Sequence, residues 1–181
     1  CVSNCANGHY TDSLDNSMYA KLGDNLYIEE RGLKTRQAIK NAGTLDVDIY
    51  KYTVDGRNTV TFRNDNDGVI NIYGMDYDST SYSSTAVFDD YRRSTTNFYD
   101  GDIQISTTSV YESSYVFNNL NNSTVNIYGG VIKKNGVYEM NRNGNNATMN
   151  IYDGTISYTG NYYDTTRVIY NYGNAKLNIY L

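Results

Sequence analysis

Paired acidic residues in the middle of the chain are the side chains best suited to catalysis. Asp89 and Asp90 stand in the segment FDDYRR, and Asp100 and Asp102 follow in YDGDI. Two carboxylates held close together can act as acid and base in the cleavage of a glycosidic bond. Asp100 and Asp102 alternate with Gly101, so a strand would place both carboxylates on one face. These four residues are the candidates for a carbohydrate-active site.

Turn residues around these carboxylates leave two other interpretations open. Arg92 and Arg93 follow the first acidic pair, and charged side chains at turns are usually solvated or paired on the surface. The abundant Asp and Asn oxygens could also hold Ca²⁺, which prefers oxygen ligands, although the sequence contains no nine-residue calcium-repeat signature. We therefore predict no catalytic residue, no cofactor and no metal site, and we expect that the chain is not an enzyme.

Both cysteines, Cys1 and Cys5, stand at the start of the chain in CVSNCANGH. A bridge between them would close too small a loop to stabilise much structure. They could equally be free thiols or form a crosslink to another chain, and Cys1 could be the lipidated first residue of a bacterial lipoprotein. Together with His9 they could form part of a metal site, but no fourth ligand stands nearby. We treat Cys1 and Cys5 as a candidate crosslink.

The composition favours many short strands joined by tight turns. The 181 residues suit one domain, and they include 21 Tyr but no Pro and no Trp. Tyr and Thr favour strands, while Asn, Asp and Gly favour turns. The 15 basic and 20 acidic residues are mixed along the chain, with a net charge of −5. No basic run offers a nucleic-acid footprint, and no apolar run approaches the roughly 20 residues of a membrane helix.

An Asn-Ile-Tyr unit recurs along the chain at steps of 23, 26, 29, 24 and 28 residues. The units begin at Asp48, Asn71, Asn97, Asn126, Asn150 and Asn178. Because strand side chains alternate, the middle residue of each unit should point inward, and the first and last should point outward. The predicted inward residues are Ile49, Ile72, Phe98, Ile127, Ile151 and Ile179. The predicted outward Tyr column is Tyr50, Tyr73, Tyr99, Tyr128, Tyr152 and Tyr180.

A second repeated element precedes these units and carries a polar residue at a constant distance. Its aligned inward residues are Ile39, Phe62, Phe88, Phe117 and Ile169. Two positions later, and seven residues before each unit, stand Asn41, Asn64, Asp90, Asn119 and Asn171. In the remaining copy we place Asn141 here, nine residues before Asn150, with a turn two residues longer. Stacked side chains of this kind should form a hydrogen-bonded ladder at one corner.

Such repeats predict a solenoid, because one unit cannot bury its own apolar face whereas stacked units can. We predict an all-β fold: a parallel, right-handed β-helix, or β-solenoid, of about six coils of roughly 26 residues over residues 36–181. Residues 1–35 are expected to form an irregular N-terminal segment or cap. Residues 24–30 could be one more strand, with Leu26 and Ile28 inward. Residues 31–41 could be a short capping helix or a solvated connection.

The segments AIKNAGTL, VNIYGGVI, MNIYDGTI and VIYNYGNAKLNIY resemble the parallel β-helix repeats of adhesin-like bacterial surface proteins. The resemblance covers about residues 36–181 and implies an extracellular or cell-surface location with a structural or adhesive role. β-Helices also carry lyases, hydrolases and phage tailspikes, so a carbohydrate-active β-helix is the alternative. Polygalacturonase-like β-helices carry His-Gly and Arg-x-Lys on neighbouring coils, whereas the single His of this chain is His9.

The outward tyrosines leave the choice of partner open. The column could simply stack from coil to coil, or it could hold a glycan or a protein, because a Tyr ring has an apolar body and a polar tip. The sequence ends on a coil strand, from Leu177 to Leu181, which predicts head-to-tail contact with another copy and a fibre-forming subunit. The expected partners are therefore a second copy, a glycan or a host surface.

Overall fold

A computed structural model describes residues 8–10, 19–22, 26–31, 37–56, 60–81, 85–107, 114–160 and 167–180. Within these ranges, side chains are described for residues 41–47, 60–79, 86–107, 114–160 and 167–180. All regular structure in the described ranges is β-strand. In the same part of the chain no helix is long and apolar enough to cross a membrane.

The strands are short, apart from two that turn a corner of the solenoid. In chain order they are β1 (Gly8–Tyr10), β2 (Tyr19–Leu22), β3 (Leu26–Arg31), β4 (Gln37–Asn41), β5 (Thr44–Gly56), β6 (Val60–Asn64), β7 (Val69–Ser81), β8 (Thr85–Asp90), β9 (Thr95–Phe98), β10 (Asp102–Thr107), β11 (Ser114–Leu120), β12 (Thr124–Ile127), β13 (Val131–Gly136), β14 (Asn141–Gly144), β15 (Thr148–Ile151), β16 (Thr155–Gly160), β17 (Ile169–Asn171) and β18 (Lys176–Ile179).

Stacked parallel strands form three faces around a common apolar core. The first face consists of β4, β6, β8, β11, β14 and β17, and β1 extends it with an antiparallel pairing. The second face consists of β9, β12, β15 and β18 with the first parts of β5 and β7. The third face consists of β10, β13 and β16 with the last parts of β5 and β7, followed by β3 and β2. Each complete coil therefore contributes one segment to every face.

Neighbouring coils pair in register, so equivalent residues lie above one another. On the first face Phe62 pairs with Phe88, and Phe88 pairs with Phe117. Their rings stack with centroids 5.3 and 5.0 Å apart. On the second face Phe98 pairs with Ile127, and both side chains are fully buried. The register thus builds apolar columns inside the solenoid from residues that are far apart in sequence.

The predicted inward residues of the second face are buried to different degrees. Ile72, Phe98 and Ile127 are completely buried, and Ile151 is partly buried. Ile179 is 58% exposed, because β18 pairs with β15 on one side only among the described strands. Burial of an inward side chain therefore requires a coil on both sides of it.

The turns between faces depend on left-handed backbone conformations. Between the first and second faces, two successive residues have φ between 50° and 66° at Asn66–Asp67, Arg92–Arg93, Asn121–Asn122 and Asn145–Asn146. Asn and Asp tolerate this region better than most residues, which explains why three of the four pairs are Asn or Asp. Between the second and third faces, Gly101 has a φ of 138°. A Cβ there would lie 2.5 Å from the carbonyl oxygen of Met75, so only glycine fits.

The predicted β-solenoid is confirmed as the fold class, but it makes about four turns rather than six coils. The two counts differ slightly, and the architecture of stacked coils is the one predicted. The capping helix suggested for residues 31–41 is wrong where the chain is described, because β4 occupies 37–41. Residues 26–31 form β3, which pairs in parallel with β5. The division at residue 35 stays a prediction.

Candidate functional site

Two straight columns of side chains lie on the outside of the second face, and we call them together the outer face. A third column lies beside them and consists of Val69, Thr95, Thr124, Thr148 and Lys176. The outer Asn column is Asn71, Asn97, Asn126, Asn150 and Asn178, and the Tyr column is Tyr73, Tyr99, Tyr128, Tyr152 and Tyr180. From Asn97 onward, each amide donates to the amide oxygen of the preceding coil over 2.8–2.9 Å. Asn71 donates to Asp46 over 2.9 Å. The outer Asn column is therefore a continuous hydrogen-bonded ladder.

The Tyr column is a stack of nearly parallel rings. Successive ring centroids are 5.2, 4.9, 4.8 and 4.7 Å apart, and the ring planes differ by 5–9°. The side chains remain 38–53% exposed. Because ring stacks on ring, a tyrosine inside the column presents its edge and hydroxyl to water, and its faces are covered. Burial, together with the neighbouring Tyr152 and Tyr99, raises the pKa of Tyr128, so its hydroxyl stays a neutral donor.

The two columns are thus an uncharged, hydrogen-bonding surface with a regular repeat, with Asp46 at one end of the ladder and the exposed Lys176 beside the other end. The ladder uses one N–H and one oxygen lone pair of each Asn, and an amide has a second N–H and a second lone pair. The tyrosine hydroxyls run in a parallel row beside these amides. A ligand on this surface would meet donors and acceptors repeating every 4.7–5.2 Å. Stacking of a sugar on a ring face is blocked inside the column.

A second ladder lies inside the solenoid at the turn between the first and second faces, and we call it the inner ladder. Its members are Asn41, Asn64, Asp90, Asn119, Asn143 and Asn171. Asn119 shows the pattern: its amide nitrogen donates to Asn143 Oδ1 over 2.8 Å and to the Thr148 carbonyl over 2.7 Å. Asn41, Asn64 and Asn143 make the same two bonds to the following coil. The inner ladder therefore donates forward along the chain, whereas the outer ladder donates backward.

The placement of Asn141 in this ladder is wrong. Asn143 is the register partner of Asn119, so the turn in this coil has the ordinary length. Asn141 pairs with Ile169 and lies in the column of Phe117. It is fully buried, accepts from the Phe117 N–H over 3.3 Å and donates to the Val168 carbonyl over 3.2 Å. A polar side chain thus replaces an aromatic one in the core, and its own hydrogen bonds compensate for its burial.

Asp90 is the one carboxylate of the inner ladder. It is completely buried. Its Oδ1 accepts from Asn64 over 3.1 Å and from the Thr96 hydroxyl over 2.6 Å. Its Oδ2 is buried without a hydrogen-bond partner. The pKa of Asp90 is raised to about 7, chiefly by burial; hydrogen bonds from Thr96 and Asn64 oppose the rise, and the charge of Asp89 adds to it.

The other candidate acidic residues have separate partners. Asp89 lies in an ion pair with Arg63 and accepts from Asn118 over 2.7 Å; burial raises the pKa of Asp89 although Arg63 opposes this. Asp100 accepts from the N–H of the next residue at the turn before β10. Asp102 begins β10 and lies 3.4 Å from Lys133 on the surface. The two acidic pairs therefore belong to different faces, and no two of these carboxylates share a partner.

Arg92 and Arg93 occupy the exposed turn after β8. Arg93 makes a two-pronged contact with Asp67 of the preceding coil, with distances of 2.6 and 2.8 Å. Arg92 reaches Asp65 at only 4.0 Å. The hydrogen bond from Arg93 holds the pKa of Asp67 below its ordinary value. The arginines therefore contribute to contact between coils at the surface.

Lys134 is a buried lysine whose position in the core was not predicted from the repeat pattern. It occupies an inward position of β13, between Ile105 and Tyr158 in the neighbouring coils, and is only 2% exposed. Its ammonium group donates to the carbonyls of Ser114 and Glu139 over 2.6 and 2.7 Å. Burial lowers the pKa of Lys134 to about 7. Lys134 stands two positions after the inward Ile132, and this spacing could have indicated that Lys134 points inward as well.

The predicted alignment of the first unit, which begins at Asp48, is wrong: Asp46 pairs with Asn71 and Val47 pairs with Ile72, so Ile49 does not lie in register with Ile72. The turn after Asn41 is two residues shorter than in the other coils.

Some predicted residues lie outside the described part of the chain. Cys1 and Cys5 are outside the described residues, so the candidate crosslink stays a prediction. For Tyr50 and His9 only the strands β5 and β1 are described, and their side chains are not. Within the described ranges, no three His, Cys, Asp or Glu side chains are grouped closely enough to hold a metal ion.

No protein-family model, no curated protein and no solved structure matches this chain. The function is therefore inferred from the geometry of the chain itself.

Proposed function

We propose that this chain is a structural and adhesive β-solenoid of an extracellular or cell-surface protein, and that its outer face is the contact surface. The observation that supports this most strongly is the continuity of the Asn and Tyr columns. Five stacked rings and a ladder of five amides run side by side in one register. A surface held in place by its own ladders is preorganised, so binding orders few additional side chains.

The chemistry of the outer face favours a polyhydroxylated partner, such as a glycan. Its exposed groups are amides and phenol hydroxyls, which donate and accept without charge. The regular repeat would let an extended polymer make the same weak contact at successive coils. Many weak contacts on one rigid surface add up through effective concentration. Because the ring faces are covered, we expect recognition through hydrogen bonds at ring edges and amides.

A panel of immobilised glycans and host-type surfaces tests this proposal. The wild-type chain is compared with an Asn126→Asp variant, which places a negative charge in the middle of the outer face. A Lys133→Gln variant, altered on the third face, is the control. We expect wild type and Lys133→Gln to bind one class of neutral glycan equally, and Asn126→Asp to bind it more weakly. Binding that is unaffected by Asn126→Asp would place the contact elsewhere on the molecule.

Self-association into a fibre is part of the same proposal, and the equivalence of the coils supports it. β12 pairs with β15 in the same register in which β15 pairs with β18, and the Asn and Tyr contacts are the same in both pairs. A coil of a second copy could therefore continue the ladders as a further coil of the same chain does. Electron microscopy and sedimentation at increasing concentration measure this directly. A chain that stays monomeric at the highest soluble concentration would contradict fibre formation and leave glycan adhesion standing.

The absence of catalysis is also proposed, and the separate partners of Asp89, Asp90, Asp100 and Asp102 support it. Incubation with acidic and neutral polysaccharides, followed by assays for new reducing ends and unsaturated products, tests this part. We expect neither product. Products from the wild-type chain that disappear in an Asp102→Asn or Asp89→Asn variant would favour a carbohydrate-active enzyme instead.

A further inference from the structure

The inner ladder has a repeated hydrogen-bond pattern that Asp90 cannot complete when it is ionised. Each Asn before the last, Asn171, donates one amide hydrogen to the side-chain oxygen of the next ladder member and the other to a backbone carbonyl at the start of the next second-face strand. The carbonyls so used belong to Val69, Thr95, Thr148 and Lys176. By register, the carbonyl that Asp90 would serve is that of Thr124. An ionised Asp90 has no hydrogen to donate to either acceptor.

The neighbour of Asp90 in the next coil cannot supply the missing hydrogen. Asn119 is the register partner of Asp90, and both of its amide hydrogens are directed forward, to Asn143 and to the Thr148 carbonyl. Its Oδ1 accepts from the Ser123 hydroxyl over 2.6 Å. On the Asp90 side, Oδ1 accepts from Asn64, from Thr96 and, over 3.5 Å, from Ser94, and the unpartnered atom is the buried Oδ2. By the register of the ladder, this step brings two acceptors together if Asp90 is ionised.

We propose that Asp90 is protonated in the folded protein, donates a hydrogen bond from Oδ2 to Asn119 Oδ1, and thereby joins the two halves of the inner ladder in a pH-dependent way. The neutral carboxyl group then donates to the next coil as an Asn amide does, although it has one O–H where the amide has two N–H bonds. On deprotonation the bond is lost and a negative charge faces an amide oxygen. The ladder separates into a first half ending at Asp90 and a second half beginning at Asn119.

The surroundings of Asp90 favour the neutral form. The charged groups on the elements around it are Asp89, Arg63, Asp65, Arg92 and Arg93. Arg63 is paired with Asp89, and the two turn arginines with Asp65 and Asp67, so these cations already have carboxylate partners. β9, β11 and β12 contain no charged residue. Desolvation therefore acts on Asp90 without a dedicated counter-charge, and its pKa is raised to about 7.

The hydrogen bond between Asp90 and Asn119 is consequently formed at mildly acidic pH and lost at alkaline pH. Because Asp90 connects coil 85–107 to coil 114–136, the change acts in the middle of the described solenoid. This inference does not depend on the proposed adhesive function, since it concerns contacts between coils only. A protein that meets changing pH would gain a solenoid whose stiffness responds to it.

Carbon-13 NMR of the Asp side-chain carboxyl groups, recorded across the pH range, tests the inference in the wild-type chain. Asp90→Asn assigns the signal, because that variant lacks it, and keeps the shape of the side chain. We expect one carboxyl that titrates near neutral pH and is absent in Asp90→Asn. We also expect the melting temperature of Asp90→Asn to exceed that of wild type by more at pH 8 than at pH 5. Asp102→Asn, an exposed carboxylate, is the control and should leave the wild-type pH dependence in place.

Two results would overturn the inference. One is an Asp90 carboxyl that titrates near its ordinary value of 3.8, which would mean that the ladder tolerates an ionised member. The other is an equal pH dependence of melting in wild type and Asp90→Asn. The spectra of folded wild type alone show whether any Asp carboxyl titrates near neutral pH, and if none does the inference fails without any variant. Where one does, Asp90→Asn assigns it.

Discussion

Asn119 is the register partner of Asp90, yet it donates both of its amide hydrogens to the coil beyond and turns only an acceptor toward Asp90. The inner ladder is therefore directional. It is interrupted at Asp90, which has no N–H to donate. When the Asp90 carboxyl group takes up a proton, its O–H can donate instead.

Asp90→Asn should stabilise the protein in alkaline solution. Asp90 has an ordinary pKa of 3.8 and a folded-state pKa of about 7, so the folded chain holds a proton that the unfolded chain has lost between these values. Its contribution to stability is fully present below 3.8 and is lost as the pH rises through about 7. The loss approaches about 4 kcal/mol as an upper limit. Urea unfolding of both proteins from pH 4 to pH 9 should show diverging curves, and parallel curves would contradict the expectation.

Lys134→Met should reveal the opposite pH dependence. Burial lowers the folded-state pKa of Lys134 from 10.5 to about 7, so between these values the unfolded chain holds the extra proton. The stability of wild type relative to Lys134→Met should therefore rise as the pH increases from 7 to 10.5, by up to about 5 kcal/mol. Thermal melts of both proteins at pH 7 and pH 10 provide the comparison. A constant difference would mean that Lys134 is charged in the folded state.

Ile127→Asp should be far more damaging than Asn126→Asp. Ile127 is fully buried on the inside of β12, and an unpaired carboxylate there costs several kcal/mol. Asn126 lies next to it on the outer face, where a carboxylate loses only ladder bonds worth about 1 kcal/mol each. Chemical denaturation of the two variants checks this. Equal losses of stability would contradict the assignment of inner and outer faces.

Arg92→Asn should raise the stability of the protein. Arg92 has a φ of 51°, where Asn is tolerated more readily, and its contact with Asp65 is a loose 4.0 Å. We expect a gain of about 0.5–1 kcal/mol from relief of backbone strain. Arg93→Asn is the matched control, because it relieves the same strain but removes the two-pronged pair with Asp67. A greater gain from Arg93→Asn than from Arg92→Asn would show that the ion pair contributes less than supposed.

The fold could be predicted because the alternation of apolar and polar residues and the spacing of the repeats can both be seen in the sequence. Ile72, Phe98 and Ile127 stand between polar residues in every unit, and a strand with that pattern has one buried face. The positions of Asn64 and Asn119 followed from a count of seven residues to the next unit, whereas after Asn41 the residue in register with Asn71 is Asp46, only five residues on. These are local regularities, so a single sequence is sufficient to read them.

Some details of the inner ladder could not be predicted in the same way. Asn141 and Asn143 lie two residues apart, so alternation does not distinguish them, but the count of seven residues to Asn150 selects Asn143, as the register of β14 with β11 does. The direction of donation, and with it the special position of Asp90, depends on how amides rotate within the ladder. Lys134 is similar, because only the folded chain shows the carbonyls of Ser114 and Glu139 that accept from its ammonium group.

Recognition through the outer face is measured most directly by the affinity of a Tyr99→Phe/Tyr128→Phe double variant for the glycan or surface that wild type binds. The change removes two hydroxyls and keeps the ring stack, so we expect unchanged melting and about tenfold weaker binding, about 1.4 kcal/mol. Tyr170→Phe, on the first face, should bind as wild type does. Equal affinity of all three proteins, or no binding by wild type to any surface tested, would contradict outer-face recognition.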